Sequence, residues 1–293
     1  MKNFDVFAGI DWSGAKSPIN TKSIALATLN KGGKNLSLHH DIRSRKAVYD
    51  WIAQQIETGQ RTLIGIDCNF GYAESVVRKH IGKGSNAFKL WQVVNQVNDN
   101  EPNFFAGNFW SQKPYDQDFW TEGKMPQGFT MPKRQTEIIC AENGYGRPES
   151  PFKLIGAKQV GKGGLSGMRV AYTLKEKYGD KICIWPFDQN VDEATIVMSE
   201  IYPRQFLMRV GHGTTKVRDI ETLNLVLSSF GIKAYKDKNV NDHDTDALIS
   251  AAGLRHLCGE KETVPGILSN PHGMTDRARQ YEGWIFGVGD IAV

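Results

Sequence analysis

The amino-acid sequence predicts an α/β fold in which a five-stranded mixed sheet is flanked by helices. Two apolar runs, residues 4–11 and 62–67, both end in Gly-Ile-Asp. This pattern is typical of a buried strand that ends at a loop. Residues 22–29 and 36–40 lie between turn-rich segments and favour a three-strand antiparallel meander with the first run. Apolar residues recur at helical spacing over residues 45–56, so a crossover helix should make the strand at 62–67 parallel to the first.

The two matched strand ends bring carboxylates together if the strands are neighbours. Asp11 and Asp67 would then leave the sheet at one edge, where open α/β sheets hold their sites. Two ionised carboxylates about 4 Å apart repel by roughly 4 kcal/mol at an effective dielectric constant near 20, so they require a bound cation or a shared proton. We interpret the pair as a cation site, although either aspartate alone is equally typical of a turn or a helix cap.

The composition is that of a globular chain with enough apolar residues for a core. Of 293 residues, 40% are hydrophobic and 23% charged, and we expect one domain over residues 1–293. No apolar run approaches the ~20 residues of a membrane span, and the first residues do not resemble a signal peptide, so we expect a cytoplasmic protein without membrane contact. The net charge of +4 is compatible with a phosphate-rich partner but does not demonstrate one.

Residues 69–150 show no sustained periodicity and are expected to form a long irregular insertion. Such a segment inside a compact domain is usually functional rather than a linker. Its aromatic rings are suited to stacking on the bases of a single strand or, more commonly, to packing against the body of the protein. These rings are Phe104, Phe105, Phe109, Trp110, Tyr115, Phe119 and Trp120.

The segment that follows resembles a phosphate-binding P-loop but lacks one essential residue. Gly156, Gly161 and Lys162 have the required spacing, whereas Gly163 stands where Ser or Thr would hold magnesium, so we reject an ATPase. The glycines and Lys162 precede a helix predicted at residues 166–178 and can still present backbone N–H groups to a phosphate. A flexible loop with a solvated lysine is the alternative.

Two further apolar runs, residues 181–187 and 194–201, favour strands, and the second contains Glu200. A carboxylate in an otherwise buried strand is unfavourable unless it is paired or coordinates something, so Glu200 is a candidate ligand. Residues 217–230 have the apolar spacing of a packing helix.

The run Asn-Asp-His-Asp-Thr-Asp at residues 241–246 is the strongest signal late in the chain. Small and apolar residues continue at helical spacing toward Leu257, so the run forms the first turn of a helix. Capping and the helix dipole explain one aspartate there, but not three acids and a histidine within five residues. His243 and Asp246 are three residues apart and share a face, which makes both candidates for a catalytic site; alone, His243 would more often be structural or solvated.

In order along the chain, these pieces resemble the ribonuclease H-like fold and, within it, the domain-of-unknown-function family of predicted RNase H-like nucleases. The matching segments span nearly the whole chain: residues 9–11, 65–67, 200–203, 243–247 and 282–285. His243-x-x-Asp246-Ala also resembles the catalytic helix of RuvC-type Holliday-junction resolvases. The chain departs from ribonuclease H itself in the later position of Glu200 and in the aromatic insertion.

The resemblance implies a nuclease that hydrolyses phosphodiester bonds of DNA or RNA with two Mg²⁺ or Mn²⁺ ions. Its metal ligands fall on Asp11, Asp67 and Asp246, with Glu200 as a further ligand and His243 as a group that binds or moves a proton. Carboxylates suit these ions, which activate water and stabilise the leaving oxygen. Five cations are expected to border the cleft and bind phosphates: Lys133, Arg134, Lys158, Lys162 and Arg169.

Two other classes of function fit parts of the pattern. A small-molecule kinase of the actin and sugar-kinase group shares the opening meander and an early aspartate, but it would need a second phosphate loop and normally a second domain. A non-catalytic nucleic-acid or protein-binding module could retain the acids without the chemistry.

Overall fold

A six-stranded mixed sheet forms the centre of the molecule in a computed structural model that describes residues 3–156, 159–213, 215–258 and 268–289. The strands are β1 (Val6–Asp11), β2 (Ala25–Asn30), β3 (Ser37–Leu38), β4 (Thr62–Ile66), β5 (Ile182–Ile184) and β6 (Ile196–Glu200). Their order is β3-β2-β1-β4-β6-β5. Strands β1 to β3 pair antiparallel, whereas β4, β6 and β5 continue parallel to β1. The predicted meander and the parallel strand after it are confirmed.

The prediction of five strands is wrong, because both apolar runs between residues 181 and 201 form strands. β5 adds to the edge of the sheet beside β6, in parallel. Its residues Ile182, Cys183 and Ile184 are fully buried, so helices or loops cover both faces even at this edge.

Helices cover both faces of the sheet. They are α1 (Pro18–Thr21), α2 (Arg45–Thr58), α3 (Glu74–Ile81), α4 (Ala87–Val97), α5 (Gly107–Ser111), α6 (Gln135–Glu142), α7 (Gly161–Tyr178), α8 (Pro203–Arg209), α9 (Ile220–Ser229) and α10 (Asp242–Cys258). Within the described ranges, no helix is both long and apolar enough to cross a membrane. The predicted crossover helix is confirmed as α2, which Ser44 caps by accepting a hydrogen bond from the Ala47 N–H and Gly59 ends at a φ of 71°.

Side chains of successive strand residues alternate between two apolar layers. Phe7 and Leu63 pack in the layer that contains α8, α9 and α10. Ala8 and Ile64 pack in the opposite layer, which contains α2, α4 and α7. A side chain at a strand end is therefore directed to one layer or the other by its register alone.

Helix α10 lies directly on the centre of the sheet because β1 has a glycine at the crossing point. A Cβ atom on Gly9 would lie 2.4 Å from the carbonyl oxygen of Ala247 and 2.5 Å from the backbone nitrogen of Ala251. Such distances exclude any side chain at this position. The close approach holds the beginning of α10 beside the end of β1.

The insertion is more regular than the sequence indicated. Helices α3 to α6 lie within residues 69–150. Phe109 and Phe119 are buried, and Phe104, Trp110 and Tyr115 pack against the same apolar layer as α2, α4 and α7. These five rings pack against the body of the protein, so the more common of the two predicted uses is the one observed.

Helix α7 begins at Gly161, five residues earlier than predicted, and its glycines allow close packing. A Cβ atom on Gly161 would lie 2.0 Å from the carbonyl oxygen of Pro151, and one on Gly164 would lie 2.0 Å from Oδ1 of Asn69. Gly161, which was part of the phosphate-loop pattern, and Gly164 therefore bring the first turn of α7 against Pro151 and the loop after β4.

Candidate functional site

The repeated Gly-Ile-Asp segments lie side by side at the end of the sheet. Gly9 is paired with Gly65 and Ile10 with Ile66 in parallel register. The backbone N–H of Asp67 donates to the carbonyl oxygen of Ile10 at 3.0 Å, which continues the ladder to the two aspartates. Asp11 and Asp67 therefore leave neighbouring strands at one edge and face the α10 layer.

The acidic start of α10 divides into capping residues and residues that face this edge. Asn241 Oδ1 accepts hydrogen bonds from the N–H groups of His243 and Asp244, at 2.8 and 3.0 Å. Asp244 Oδ2 in turn accepts from the N–H of Asn241 at 3.1 Å, which completes a reciprocal cap. Asp244 Oδ1 also accepts from Arg43 at 2.6 Å. Capping and ion pairing thus explain Asp244, but not His243 or Asp246.

His243 binds Asp11 across the site. Its Nδ1 lies 2.5 Å from Asp11 Oδ2, between side chains that are 30% and 8% exposed. This hydrogen bond, together with the charge of Asp11, raises the pKa of His243 although burial opposes it. Burial raises the pKa of Asp11, and His243 offsets part of that rise. This contact links the end of strand β1 to the first turn of helix α10.

Three carboxylates oppose one another's ionisation here, and we call Asp11, Asp67 and Asp246 the acid cluster. Burial raises the pKa of Asp67 well above its ordinary value, and Asp11 and Asp246 raise it further. Burial, with the charge of Asp11, raises the pKa of Asp246 to about 6. Within the described part of the chain, the carboxylate of Asp67 accepts no hydrogen bond and forms no ion pair. The acid cluster therefore has one member without a direct partner.

A lysine that the sequence did not single out lies against the acid cluster. Nζ of Lys216 is 3.4 Å from Oδ2 of Asp246 and 3.3 Å from Oδ2 of Asp242. Burial lowers the pKa of Lys216, but Asp246, Asp11 and Asp242 outweigh that effect and raise it, so the ammonium stays charged. Lys216 lies in the segment between α8 and α9, where no local pattern indicates its contacts.

Glu200, the further metal ligand that the sequence predicted, is bound by Arg134 in this structure. Its register with Ile66 and Ile10 places it on the side of the sheet that faces the α2 and α7 layer. It still lines the same cavity as Asp67, and its charge contributes to the raised pKa of Asp67. Both carboxylate oxygens accept hydrogen bonds from the Arg134 guanidinium, at 2.6 and 2.7 Å. Glu200 is a structural ion-pair partner in this arrangement.

Arg134 connects three parts of the chain within a buried network and has no free face for a phosphate. Besides Glu200, its guanidinium binds Oε1 of Glu137 at 2.8 Å and the carbonyl oxygen of Glu282 at 2.8 Å. Burial raises the pKa of Glu137 to about 7. The same burial lowers the pKa of Arg134, but Glu137 and Glu200 more than compensate and raise it. The network joins α6, the end of β6 and the segment after residue 282.

A cavity of about 270 Å³ opens beside the acid cluster. Residues at the ends of β1, β4 and β6, at the beginnings of α7, α8 and α10, and in the insertion line it. Trp12 holds one wall, because its Nε1 donates to the carbonyl oxygen of Gly163 and to Oγ of Ser166, both at 3.0 Å. Three cations that sequence reasoning missed face this cavity: Arg147, Arg204 and Lys216.

Of the five predicted phosphate-binding cations, Arg134 lines the cavity but is held in its buried network, and three others do not line it. Arg169 is buried and donates to Asn95 and to the carbonyl oxygens of Glu101 and Phe105 in the insertion, which corrects its predicted role. Lys162 is directed to the ring of Trp110, with Nζ 5.7 Å from its centroid. Neither it nor the exposed Lys133 lines the cavity, and Lys158 is outside the described residues.

The residues of the acid cluster fit a hard divalent cation by chemistry, since they offer carboxylate oxygens and an imidazole. In the described ranges, no three His, Cys, Asp or Glu side chains are already arranged as a metal site. The contacts of His243 with Asp11 and of Lys216 with Asp246 account for this, because internal cations hold these two carboxylates. Asp11, Asp67, Asp246 and His243 are the residues that could turn toward one ion.

Comparison with known proteins found no relative. No family model, curated protein or solved structure matches the chain.

Proposed function

We propose that this protein is a metal-dependent hydrolase of phosphodiester bonds in nucleic acid, with the ribonuclease H-like fold. The observation that supports the proposal most is the carboxylate of Asp67, which shares the cavity with Asp11 and Asp246 and has no direct partner in the described part of the chain. Asp67 is partly exposed and lines the cavity, so its carboxylate is open to a cation that enters from solvent.

The topology supports the same proposal. The antiparallel meander followed by a parallel strand, with acids at the ends of β1 and β4 and at the start of α10, agrees with the fold implied by the resemblance in the sequence. The glycines of α7 serve packing, and so they offer no support for a phosphotransferase.

Each residue of the proposed site has a distinct task. Asp11, Asp67 and Asp246 would hold Mg²⁺ or Mn²⁺, which when bound supplies an activated water and stabilises the leaving oxygen. His243 lies with Nδ1 against Asp11 and would hold or move a proton during the reaction. Arg147 and Arg204 are placed in the cavity wall, where they can neutralise substrate phosphates.

The direct test combines metal binding with hydrolysis. We expect calorimetry to detect Mn²⁺ and Mg²⁺ binding, and the loaded protein to cleave at least one of single-stranded, duplex or branched DNA or RNA. A chelator should abolish the cleavage. Binding of nucleic acid without cleavage would favour the non-catalytic module instead, and absence of metal binding in both the free and the nucleic-acid-bound protein would contradict the proposal.

The contact between His243 and Asp11 predicts how metal affinity depends on pH. The raised pKa keeps the imidazole of His243 positively charged just above its ordinary value of 6.5, and this charge holds Asp11 and opposes a second cation. Metal affinity should therefore rise as the pH increases from about 6.5 to 8, because the imidazole loses its positive charge. In a His243→Gln variant this increase should disappear, which calorimetry at several pH values would show. An equally steep increase in the variant would assign the proton to another group.

A further inference from the structure

The backbone of Lys216 is held in place by a hydrogen bond to the next residue, Val217. Val217 is buried, and its carbonyl oxygen accepts a hydrogen bond from Oγ1 of Thr245 at 2.7 Å. This bond fixes the segment next to the first turn of α10, between Asp242 and Asp246. The ammonium of Lys216 thus reaches the acid cluster from an anchored position.

The two contacts of Lys216 differ in kind. Asp246 belongs to the acid cluster and its side chain is 10% exposed, whereas Asp242 lies outside the cluster with a side chain that is 32% exposed. The lysine side chain itself is 41% exposed. An ion pair this open to solvent stabilises a protein little, so a stronger cation can replace it. Lys216 can leave Asp246 and still remain bound to Asp242.

We propose that Lys216 is the displaceable counter-ion of the acid cluster: it occupies Asp246 in the metal-free protein and yields to a divalent ion. Because Asp242 retains it at the rim of the cavity, the displaced ammonium is then available to a substrate phosphate. This inference rests on the proposed function, since it requires the acid cluster to bind metal and substrate to carry phosphates.

The role predicts changes of opposite sign when the charge is removed. Without Lys216, an incoming metal has no internal cation to displace, so metal should bind more tightly. The metal-free protein should be less stable, because the carboxylates then repel one another without a counter-ion. Substrate should bind more weakly, because one phosphate contact is lost. A lysine that only supported the local structure would weaken metal and substrate binding together.

The test uses the Lys216→Met variant, which keeps the apolar stem and removes the charge. Lys238→Met is the matched control, because Lys238 is an exposed lysine that precedes α10 and lies outside the cavity. We expect calorimetry to show that Lys216→Met binds Mn²⁺ about tenfold more tightly than the parent. Without metal, the variant should melt at a lower temperature than the parent. On addition of Mn²⁺, its melting temperature should rise by more than that of the parent. Its KM for a single-stranded oligonucleotide should rise and depend less on salt, by about 0.7 in the slope of log KM against log salt.

The possible outcomes separate this inference from the proposed function. If the parent binds Mn²⁺ but Lys216→Met binds it equally or less tightly, the counter-ion role is overturned while the nuclease proposal stands. The counter-ion role would also be overturned if Lys238→Met increased Mn²⁺ affinity by as much as Lys216→Met. The change in net charge alone would then explain the effect. If the parent binds no Mn²⁺ and cleaves nothing, both proposals fail.

Discussion

An Asp67→Asn variant is expected to lose metal-dependent hydrolysis by at least about a thousandfold, while its metal-free form becomes more stable than the parent. Asp67 has no direct partner in the described part of the chain, and Asp11 and Asp246 oppose its ionisation. The amide keeps nearly the same shape but carries no charge, so the repulsion is relieved. We expect a gain of about 1–2 kcal/mol in the free energy of unfolding at pH 7.

The pH dependence of stability gives this prediction a second readout. A carboxyl group whose pKa is raised by folding favours the folded state most when it is protonated, and it destabilises that state as the pH rises from the ordinary pKa toward the raised one. For Asp246, that window runs from 3.8 to about 6. The metal-free parent should therefore lose stability as the pH rises through this range. Asp67→Asn should lose less, because each remaining carboxylate has one repulsive neighbour fewer.

Metal addition should reverse the order of the two proteins. The parent gains RT ln(1 + [L]/Kd) from an ion that binds the folded state alone, and the variant should gain much less. Melting curves with and without Mn²⁺, together with the cleavage assay, measure every part of the prediction. Equal Mn²⁺-induced shifts in parent and variant would remove Asp67 from the ligand set.

Asp244→Asn is the matched control, because the same substitution is made at an acid outside the cavity. Asp244 binds Arg43 and the N–H of Asn241, and it is 3% exposed. Its substitution should cost about 2 kcal/mol with or without metal, since it removes the carboxylate that balances the charge of Arg43. The Mn²⁺-induced shift in melting temperature should equal that of the parent.

The sequence was sufficient to predict the positions of the acids at the start of α10 and at the two matched strand ends. Both positions depend on residues that are close together in the sequence. Gly-Ile-Asp occurs twice, and identical strand ends in parallel register place Asp11 beside Asp67. The start of α10 follows from its cap and its helical spacing. In both cases, a short segment contains the information that decides the position of the side chain.

The sequence could not assign Glu200 or the cations, because their positions depend on contacts between distant segments. A strand side chain changes faces when the register shifts by one residue, and nothing in β6 states its register with β4. Likewise, Lys216 and Arg204 reach the cavity only because α8 and the segment after it pack beside α10. Arg134 and Arg169 carry the guanidinium groups that commonly bind phosphates, but the fold buries both side chains.

The largest loss of stability is expected from Arg134→Met. The guanidinium binds Glu137 and Glu200 in a place where each side chain is at most 7% exposed. Removing it leaves two buried carboxylates without a counter-ion, which should cost at least about 3–5 kcal/mol, a large part of the stability of a typical domain. Urea unfolding measures the loss, with the exposed neighbour Lys133→Met as the control, which should change stability by less than about 0.5 kcal/mol.

Glu200→Gln tests the same network with a variant that should fold. It also decides whether Glu200 is the ion-pair partner of Arg134 or a metal ligand. As the partner of Arg134, Glu200 accepts two hydrogen bonds, and an amide can accept one of them, so the expected loss is smaller, about 1–3 kcal/mol. That loss should be the same with and without Mn²⁺, because Arg134 already holds both carboxylate oxygens. A metal ligand would give the pattern of Asp67→Asn instead, with a stable metal-free protein and a diminished Mn²⁺-induced shift. Observation of that pattern in Glu200→Gln would restore Glu200 to the ligand set and would require Arg134 to release it when metal binds.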